Sequence, residues 1–304
     1  MDYQDLLERV YKEAFPYTAL GTNASYIEAL AGIDKDQLGI SLCTEDCKIF
    51  SVGRSDVPFS LQSISKVFSF IMAYQAIGEE IWQRLGKEPS GNAFNSLVQL
   101  EYENGIPRNP FINAGALVVA DILLSHLNNP WEDFLHFVAQ LSGDTTVNYN
   151  EVVAASEWET GHRNAALAHF MRSFGNIHNP VDQVLDFYFR QCALEMTTQT
   201  LAKSFLLLAN HGVLPGSKKP VISVSKSKRI NALMLMAGLY NESGDFAYRV
   251  GLPAKSGVGG GIAAVHPRHF SIAVWSPAIN SFGNSVAGIE VLERFTTYSQ
   301  LSVF

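Results

Sequence analysis

Strand-like segments occur near both ends of the chain, on either side of a long helical middle, and this order restricts the fold most. Residues 38–44 and 47–53 predict a β-hairpin, because two apolar runs flank a short acidic turn. Residues 246–251, 261–266 and 269–275 again have strand character. One antiparallel sheet built from both chain ends accounts for this order most simply.

Helical spacing of apolar residues predicts the remaining elements. The terminal helices are expected to cover the sheet, and the others to form an inserted, mostly helical subdomain. We therefore predict the α+β class and one unit over residues 1–304, with a sheet-containing part at 1–62 and 222–304 and a helical part at 63–221. The predicted helices span residues 5–16, 63–78, 113–126, 131–142, 161–173, 180–190, 196–211, 225–238 and 283–298.

Ser63 and Lys66 are a candidate nucleophile and its base. Residues three positions apart share one helix face, where the lysine amine can take the hydroxyl proton. Apolar residues on both sides of the pair predict partial burial of Lys66, which would lower the pKa of its amine. The same spacing recurs at 223–228 in a lysine-rich stretch, which is typical of a solvated surface. By itself, the pair would be interpreted as a capping serine and a surface lysine.

A second motif, Lys255-Ser256-Gly257, opens a glycine-rich segment far along the chain. Serine acylases of the penicillin-binding type combine S-x-x-K with such a K-[ST]-G strand. Glycines let backbone approach a substrate closely, so we expect Ser63 and Lys255 to meet where the helical part joins the returning sheet. The Ser-Asp-Asn element of that pattern is absent between the two motifs. A Lys255 that merely points from its strand into solvent is the alternative.

Charge and composition argue against several classes of partner. The net charge of −7 disfavours nucleic acid or an anionic membrane as the main partner. No apolar run is long enough to span a bilayer, and the acidic, polar start of the sequence does not resemble a secretory signal. The three cysteines, an odd number, indicate reduced thiols and a cytoplasmic location.

No metal or organic cofactor is expected. The eight histidines form no HExxH pattern, and Pro267 separates His266 from His269. Cys43 and Cys47 have the spacing of a metal pair, but their place in the predicted hairpin favours strand residues. The glycine-rich segment lacks the following helix of a phosphate loop, so we predict a turn between strands.

Several longer strings carry a family resemblance. They lie at 26–31, 59–66, 105–116, 156–157, 163–164, 173–176 and 252–261. Together they resemble the bacterial-type glutaminase family over nearly the whole chain, with one departure at Glu28, where proline is common. The resemblance implies a serine β-lactamase-like fold and hydrolysis of L-glutamine to L-glutamate and ammonia without a cofactor. It also implies a homo-oligomer, either a dimer or a tetramer.

The resemblance further implies roles for individual residues. Glu157 can pair with the α-ammonium of glutamine, whereas Asn113 and Asn164 can donate to its α-carboxylate. Backbone N–H groups of Ser63 and Val258 can form an oxyanion hole. The implied substrate-binding residues are Ser63, Asn113, Glu157, Asn164, Tyr188, Tyr240 and Val258. The implied catalytic residues are Ser63, Lys66, Tyr26 and Tyr240, with Lys255 in support.

Structural roles compete with some of these assignments. Glu157 could be a capping-box acid ahead of the helix predicted at 161–173. Tyr188 lies in an apolar stretch and could be a core aromatic, and Tyr240 could pack at a helix end. The residue that passes a proton to the leaving ammonia is left open between these two tyrosines.

Two other functions compete with a glutaminase. The chain could be another serine hydrolase of the same fold, such as a β-lactamase or a peptidase, although the missing export signal and Ser-Asp-Asn element disfavour it. It could also be a non-catalytic scaffold or sensor. The presence of Ser63, Lys66 and Lys255 together argues against that.

Overall fold

The computed structural model describes residues 2–91, 96–214, 217 and 219–304. Within these ranges the strands form a five-stranded antiparallel sheet and a small three-stranded one. The strands are β1 (Gly39–Thr44), β2 (Ile49–Gly53), β3 (Phe59–Ser60), β4 (Asn148–Tyr149), β5 (Leu194–Met196), β6 (Ala254–Ser256), β7 (Gly261–His266) and β8 (Phe270–Trp275).

Helices connect and cover the two sheets. The α-helices are α1 (Tyr3–Ala14), α2 (Glu28–Ala31), α3 (Ser65–Ile77), α4 (Leu97–Tyr102), α5 (Asn113–His126), α6 (Pro130–Ser142), α7 (Glu151–Thr160), α8 (His162–Ser173), α9 (Val181–Cys192), α10 (Thr198–Ala209), α11 (Val224–Ala237), α12 (Ser243–Arg249) and α13 (Val286–Ser299). Short 3₁₀ turns span Phe15–Ala19, Gln62–Ile64, Gly78–Gln83 and Tyr240–Glu242. In the described part of the chain, no helix has both the length and the apolar character needed to cross a membrane.

The five-stranded sheet has the order β2-β1-β8-β7-β6 and joins the two ends of the chain. Strand β1, from the early hairpin, pairs antiparallel with β8, so that Gly39 lies opposite Trp275. Strand β7 pairs with the other edge of β8, and its Gly261 also lies opposite Trp275. The predicted α+β class and the sheet built from both chain ends are therefore confirmed.

Alternate residues of the central strands face two separate cores, as the period of two in a strand requires. Ile40 and Leu42 of β1 pack with the terminal helices α1 and α13, which contribute Leu7 and Phe295. Cys43 of the same strand belongs to a larger core formed with the central helices. The terminal helices thus cover one face of the sheet, as predicted, and α10 covers the other.

The strand predicted over 246–251 is wrong, because helix α12 occupies most of this segment. Phe246 and Val250 are both buried, and their separation of four residues is a helical spacing. Arg249 forms ion pairs with Glu290 and Glu293 of α13, which fix the outer face of the helix. A short apolar run does not distinguish a strand from one or two helical turns, and tertiary packing decided the outcome here.

The region around 150–200 also differs from the prediction. The helix expected over 196–211 is shorter, because Leu194–Met196 forms β5 and Thr197 caps the start of α10 at Thr198. Helix α7 is additional to the predicted elements, and the Asn150 side chain caps its start by accepting from two backbone N–H groups. Glu157 lies inside α7, so the capping-box interpretation of this residue is wrong.

Candidate active site

Ser63 lies in the 3₁₀ turn that leads directly into α3. The preceding residue, Gln62, has a positive φ of 50°, which is unusual for a residue with a side chain. Strand β3 holds the chain just before this turn, since Phe59 and Ser60 pair with Met196 and Glu195 of β5. The serine is 7% exposed and is therefore held in a defined position at the start of a buried helix.

Lys66, in the first turn of α3, is completely buried. Its Nζ donates to the Oδ1 of Asn113 at 2.7 Å and to the carbonyl of Phe111 at 3.3 Å. Desolvation by burial lowers the pKa of the amine to about 8, an effect that the nearby Glu157 carboxylate partly opposes. This agrees with the burial predicted from the apolar surroundings of the motif. At a pH near 8, the Lys66 amine is neutral in a large fraction of the molecules and can accept a proton.

The S-x-x-K copies at 223–228 have a different environment. Ser223 caps α11 by accepting from the backbone N–H of Lys226. Both Ser223 and Ser225 are exposed. These copies are therefore part of a solvated helix start, as predicted, and the sequence spacing alone does not make a reactive pair.

Glu157 projects from α7 and is 8% exposed. Burial raises the pKa of its carboxyl to about 7, although a hydrogen bond with Gln62 and the charge of Lys66 act in the opposite direction. The Nε2 of Gln62 also donates to Ser60 at 3.0 Å. Among the described residues, none forms an ion pair with Glu157, so this buried carboxylate is well suited to pair with a cation that enters the site.

Asn113 and Asn164 lie at the starts of two different helices, α5 and α8. The Nδ2 of Asn113 donates to the Oδ1 of Asn164 at 2.9 Å. This contact uses the amide oxygen of Asn164. The Nδ2 group of Asn164 is therefore available to donate toward the cavity. The expected pair of amide donors is thus brought together from residues 51 positions apart.

The two candidate tyrosines have different relationships to Ser63. Tyr240 has a positive φ of 49°, and its hydroxyl lies beside the Ser63 side chain and the Val258 backbone, whose proximity acts to lower the pKa of the phenol. Burial nevertheless raises the pKa of this phenol above its ordinary value. Tyr188 is buried against Cys192, and its ring centroid lies 5.7 Å from the Lys66 amine. Of the two, Tyr240 is the one in contact with the candidate nucleophile.

Lys255 is completely buried, so the alternative in which it points into solvent is wrong. Its Nζ donates to the carbonyls of Gly238 and Ser256 at 2.9 and 2.7 Å and lies 4.7 Å from the centroid of the Tyr240 ring. Burial, followed by repulsion from Lys66, lowers the pKa of this amine well below its ordinary value. The lysine thereby links β6 to the end of α11 and supports the tyrosine.

The glycine-rich segment forms the turn between β6 and β7, as predicted, and packs on the backbone that carries Ser63. A Cβ on Gly257 would lie 2.3 Å from the carbonyl oxygen of Leu61. A Cβ on Gly259 would lie 2.3 Å from that of Ser60. Only glycine permits this approach, which holds the Val258 N–H beside the nucleophile turn.

These side chains surround a cavity of about 400 Å³. Tyr26, which is 57% exposed, lies at its rim. Lys66 and Lys255 are not part of the lining and lie beneath it. The predicted site residues that line the cavity are Tyr26, Ser63, Asn113, Glu157, Asn164, Tyr188, Tyr240 and Val258.

Six lining residues were missed by the sequence prediction: Ile27, Gln62, Thr160, Gly161, Arg163 and Cys192. Gln62 and Arg163 are part of the family-like strings, and their adjacency to Ser63 and Asn164 was a usable signal. Cys192 gave no signal, because one cysteine in an apolar helix is usually a core residue. Its burial raises the pKa of the thiol to about 12, so the thiol is a poor nucleophile.

Among the described residues, no group of three or more His, Cys, Asp or Glu side chains is arranged to hold a metal ion. Cys43 lies in β1 and Cys47 follows it in the hairpin turn, both as free thiols.

Comparison with known proteins places this architecture in a family. The glutaminase family profile matches residues 21–304. The glutaminase of Saccharophagus degradans is 52% identical to this chain, in an alignment that covers 100% of this chain and 99% of the relative. The glutaminase of Ralstonia nicotianae is 53% identical, and the alignment covers 100% of each chain. A probable glutaminase from Bacillus subtilis, complexed with 6-diazo-5-oxo-L-norleucine, is 36% identical with a TM-score of 0.89 over 100% of this chain and 98% of that one. On these matches, the chain belongs to the glutaminase family.

Proposed function

We propose that this chain hydrolyses the side-chain amide of L-glutamine, giving L-glutamate and ammonia through a glutamyl ester of Ser63. The observation that carries the proposal is a single cavity in which Ser63 and Glu157 meet, with Lys66 buried beneath. Such a site offers a nucleophile for an amide and an anion for an amino acid's α-ammonium. The glutaminase relatives, which match over the full chain, support the same substrate.

In the first half-reaction, Lys66 takes the hydroxyl proton while the Ser63 Oγ attacks the amide carbon. The oxygen of the resulting tetrahedral intermediate would be held by the backbone N–H groups of Ser63 and Val258. The C–N bond then breaks as the nitrogen receives a proton, and ammonia leaves. The proton held by Lys66 replaces the one given to the nitrogen, so the amine is neutral again before the ester is hydrolysed. A lysine with a pKa lowered to about 8 suits this role, since a base works best when its pKa is near the working pH.

We assign the proton transfer to the leaving nitrogen to Tyr240 rather than to Tyr188. The proximity of the Tyr240 hydroxyl to Ser63 supports this assignment, because the leaving nitrogen is attached to the carbon that Ser63 attacks. A raised pKa keeps the phenol protonated and able to donate. Tyr188 would instead form part of the wall beside Lys66, where its contact with the amine is through the ring.

Substrate recognition would depend on the two charged groups of free glutamine. Glu157 would pair with the α-ammonium, and Asn113 and Asn164 would donate to the α-carboxylate. The Bacillus subtilis neighbour is complexed with 6-diazo-5-oxo-L-norleucine, an amino acid similar in chain length to glutamine, which supports a free amino acid as the ligand. Tyr26 at the rim would close over the bound molecule.

Further parts of the proposal concern the whole molecule. We propose a single catalytic unit over residues 1–304, with the sheet-containing and helical parts as predicted. A cytoplasmic homo-oligomer, dimeric or tetrameric, that acts without metal or organic cofactor is proposed on the family resemblance. Sedimentation velocity on the purified chain would test the oligomer.

The function is tested by measuring ammonia release from L-glutamine, L-asparagine, N-acetylglutamine and a glutamine-containing peptide, beside a chromogenic β-lactam. We expect high kcat/KM for L-glutamine alone, because blocking either α-group leaves buried polar partners unpaired and costs about 1–3 kcal/mol or more. Asparagine is one methylene too short to reach Ser63 while its α-groups stay anchored. Ser63→Ala should abolish the activity with the fold intact. Faster turnover of the peptide or the β-lactam would refute the proposal.

A further inference from the structure

A second cavity, which we call the rear cavity, shares Tyr240 with the substrate cavity. Its volume is about 390 Å³. The residues of its lining that matter here are Asn109, Phe111, Met236, Ala237, Tyr240 and Asn241. None of these except Tyr240 also lines the substrate cavity.

The inner end of the rear cavity reaches the proposed catalytic groups. Tyr240, whose hydroxyl lies beside Ser63, is shared by the linings of both cavities and forms the wall between them. Phe111 also lines the rear cavity, and its carbonyl accepts a hydrogen bond of 3.3 Å from the Lys66 amine. Both the nucleophile and its base are therefore one residue away from this space.

The outer end of the rear cavity reaches the surface and is polar. Asn241 is exposed and Met236 is 42% exposed, so the lining continues to solvent. Asn109, Asn241 and Ser243 add polar groups along the way. A cavity of this size with several polar partners is able to hold ordered water molecules.

Hydrolysis of the glutamyl ester requires a path for water to Ser63. Once the glutamyl ester has formed, the acyl chain occupies the substrate cavity, with its α-groups held by Glu157 and Asn164. Water must still reach the ester carbon. We propose that the rear cavity supplies the water that hydrolyses the glutamyl ester, past the ring of Tyr240. This inference rests on the proposed function and deepens it.

The hydrolytic step balances with the groups at hand. The water oxygen bonds to the acyl carbon as Lys66 accepts one water proton. The bond between the acyl carbon and Ser63 Oγ then breaks, and the proton on Lys66 passes to the serine oxygen. Free Ser63 and glutamate result, and the proton of the new carboxylic acid is lost to solvent.

The test narrows the rear cavity at two positions outside the catalytic groups. Ala237→Leu acts from the end of α11 and Asn241→Phe from the 3₁₀ turn that follows. Ala76→Leu, on the exposed face of α3, is the matched control for the added volume. Steady-state rates with L-glutamine are combined with quenched-flow intact mass spectrometry, which gives the fraction of enzyme carrying the glutamyl group.

Both variants should accumulate the glutamyl ester in the steady state, with kcat and KM reduced together and kcat/KM within about twofold of the parent, because acylation determines kcat/KM. Ala76→Leu should behave like the parent. The inference is overturned if the acylated fraction is unchanged in both variants, or if kcat/KM falls as much as kcat.

Thermal unfolding of each variant identifies a folding defect. If Ala237→Leu misfolds, Asn241→Phe, at an exposed position, provides the readout. A parent enzyme without ammonia release or adduct would refute the proposed function instead.

Discussion

The side-chain amine of Lys66 donates a 2.7 Å hydrogen bond to the Oδ1 of Asn113, 47 residues further along the chain. Asn113 in turn donates to Asn164. The proposed base is therefore connected, through one amide, to a residue proposed to hold the substrate's α-carboxylate. Because an amide is neutral, it positions the amine without adding a negative charge that would favour the protonated form.

The variant Asn113→Asp tests this arrangement. A carboxylate at hydrogen-bond distance would raise the pKa of Lys66 by about one unit or more, so the acidic limb of the kcat/KM profile should move to higher pH. Asn164→Asp is the matched control, because Asn164 contacts Asn113 rather than the lysine and should cause a smaller shift. If the acidic limb of the kcat/KM profile lies at the same pH in the parent and in Asn113→Asp, Lys66 does not titrate in the reaction.

The pH dependence of the parent enzyme follows from two shifted groups. Lys66 must be neutral to accept a proton, and its pKa of about 8 means that kcat/KM should fall as pH decreases below that value. Glu157, with a pKa of about 7, loses its charge below that pH and with it the pairing to the α-ammonium. The decline should therefore become steeper below about 7. A flat profile between these two values would argue against Lys66 as the base.

Replacement of the base by a permanently charged group should be as damaging as its removal. Lys66→Arg and Lys66→Ala are both expected to lose nearly all activity, because guanidinium stays protonated and alanine has no amine. Raising the pH should not restore either variant. Circular dichroism and thermal unfolding serve as the folding control. Substantial turnover by Lys66→Arg would mean that the residue supplies charge and not a base.

Glu157→Gln should mainly weaken substrate binding. Loss of a buried charge opposite the α-ammonium should raise KM for L-glutamine about tenfold or more, since hydrogen bonds to charged groups contribute about 1.5–3 kcal/mol. The acidic limb should also move to lower pH, because the Glu157 charge raises the pKa of Lys66. Glu159→Gln, an exposed position on the same helix, is the control. An unchanged KM would leave Glu157 with only a structural role.

Gly259→Ala should disturb the turn that carries Ser63, although the two residues are far apart in the sequence. The new methyl would lie 2.3 Å from the Ser60 carbonyl, and relieving this overlap should cost about 1–3 kcal/mol of stability and displace Ser63. Gly244→Ala is the control, because a Cβ there meets no atom within 4 Å. Chemical denaturation and kcat measure the two effects. Gly259→Ala with the stability and kcat of the parent would contradict the close packing of β6–β7 on this turn.

The sequence determined those features of the protein that depend on near neighbours. The hairpin of β1 and β2 was predictable from two apolar runs around a short turn. The start of α3, with Lys66 one turn after Ser63, was predictable from helical spacing. The apolar surroundings of Lys66 correctly predicted its burial and lowered pKa. The order of strands at both chain ends was enough to predict a single sheet that joins them.

The tertiary structure decided what depends on residues distant in sequence. Tyr240 rather than Tyr188 lies beside Ser63 only in the folded chain, and sequence patterns do not reveal its positive φ either. Helix α12 replaced a predicted strand because its buried face and its ion pairs involve partners elsewhere in the chain. The hydrogen bond from Lys66 to Asn113 exists only once α3 and α5 have packed together. Such contacts carry no local signature, because the residues that form them are brought together by the burial of whole elements rather than by their own spacing.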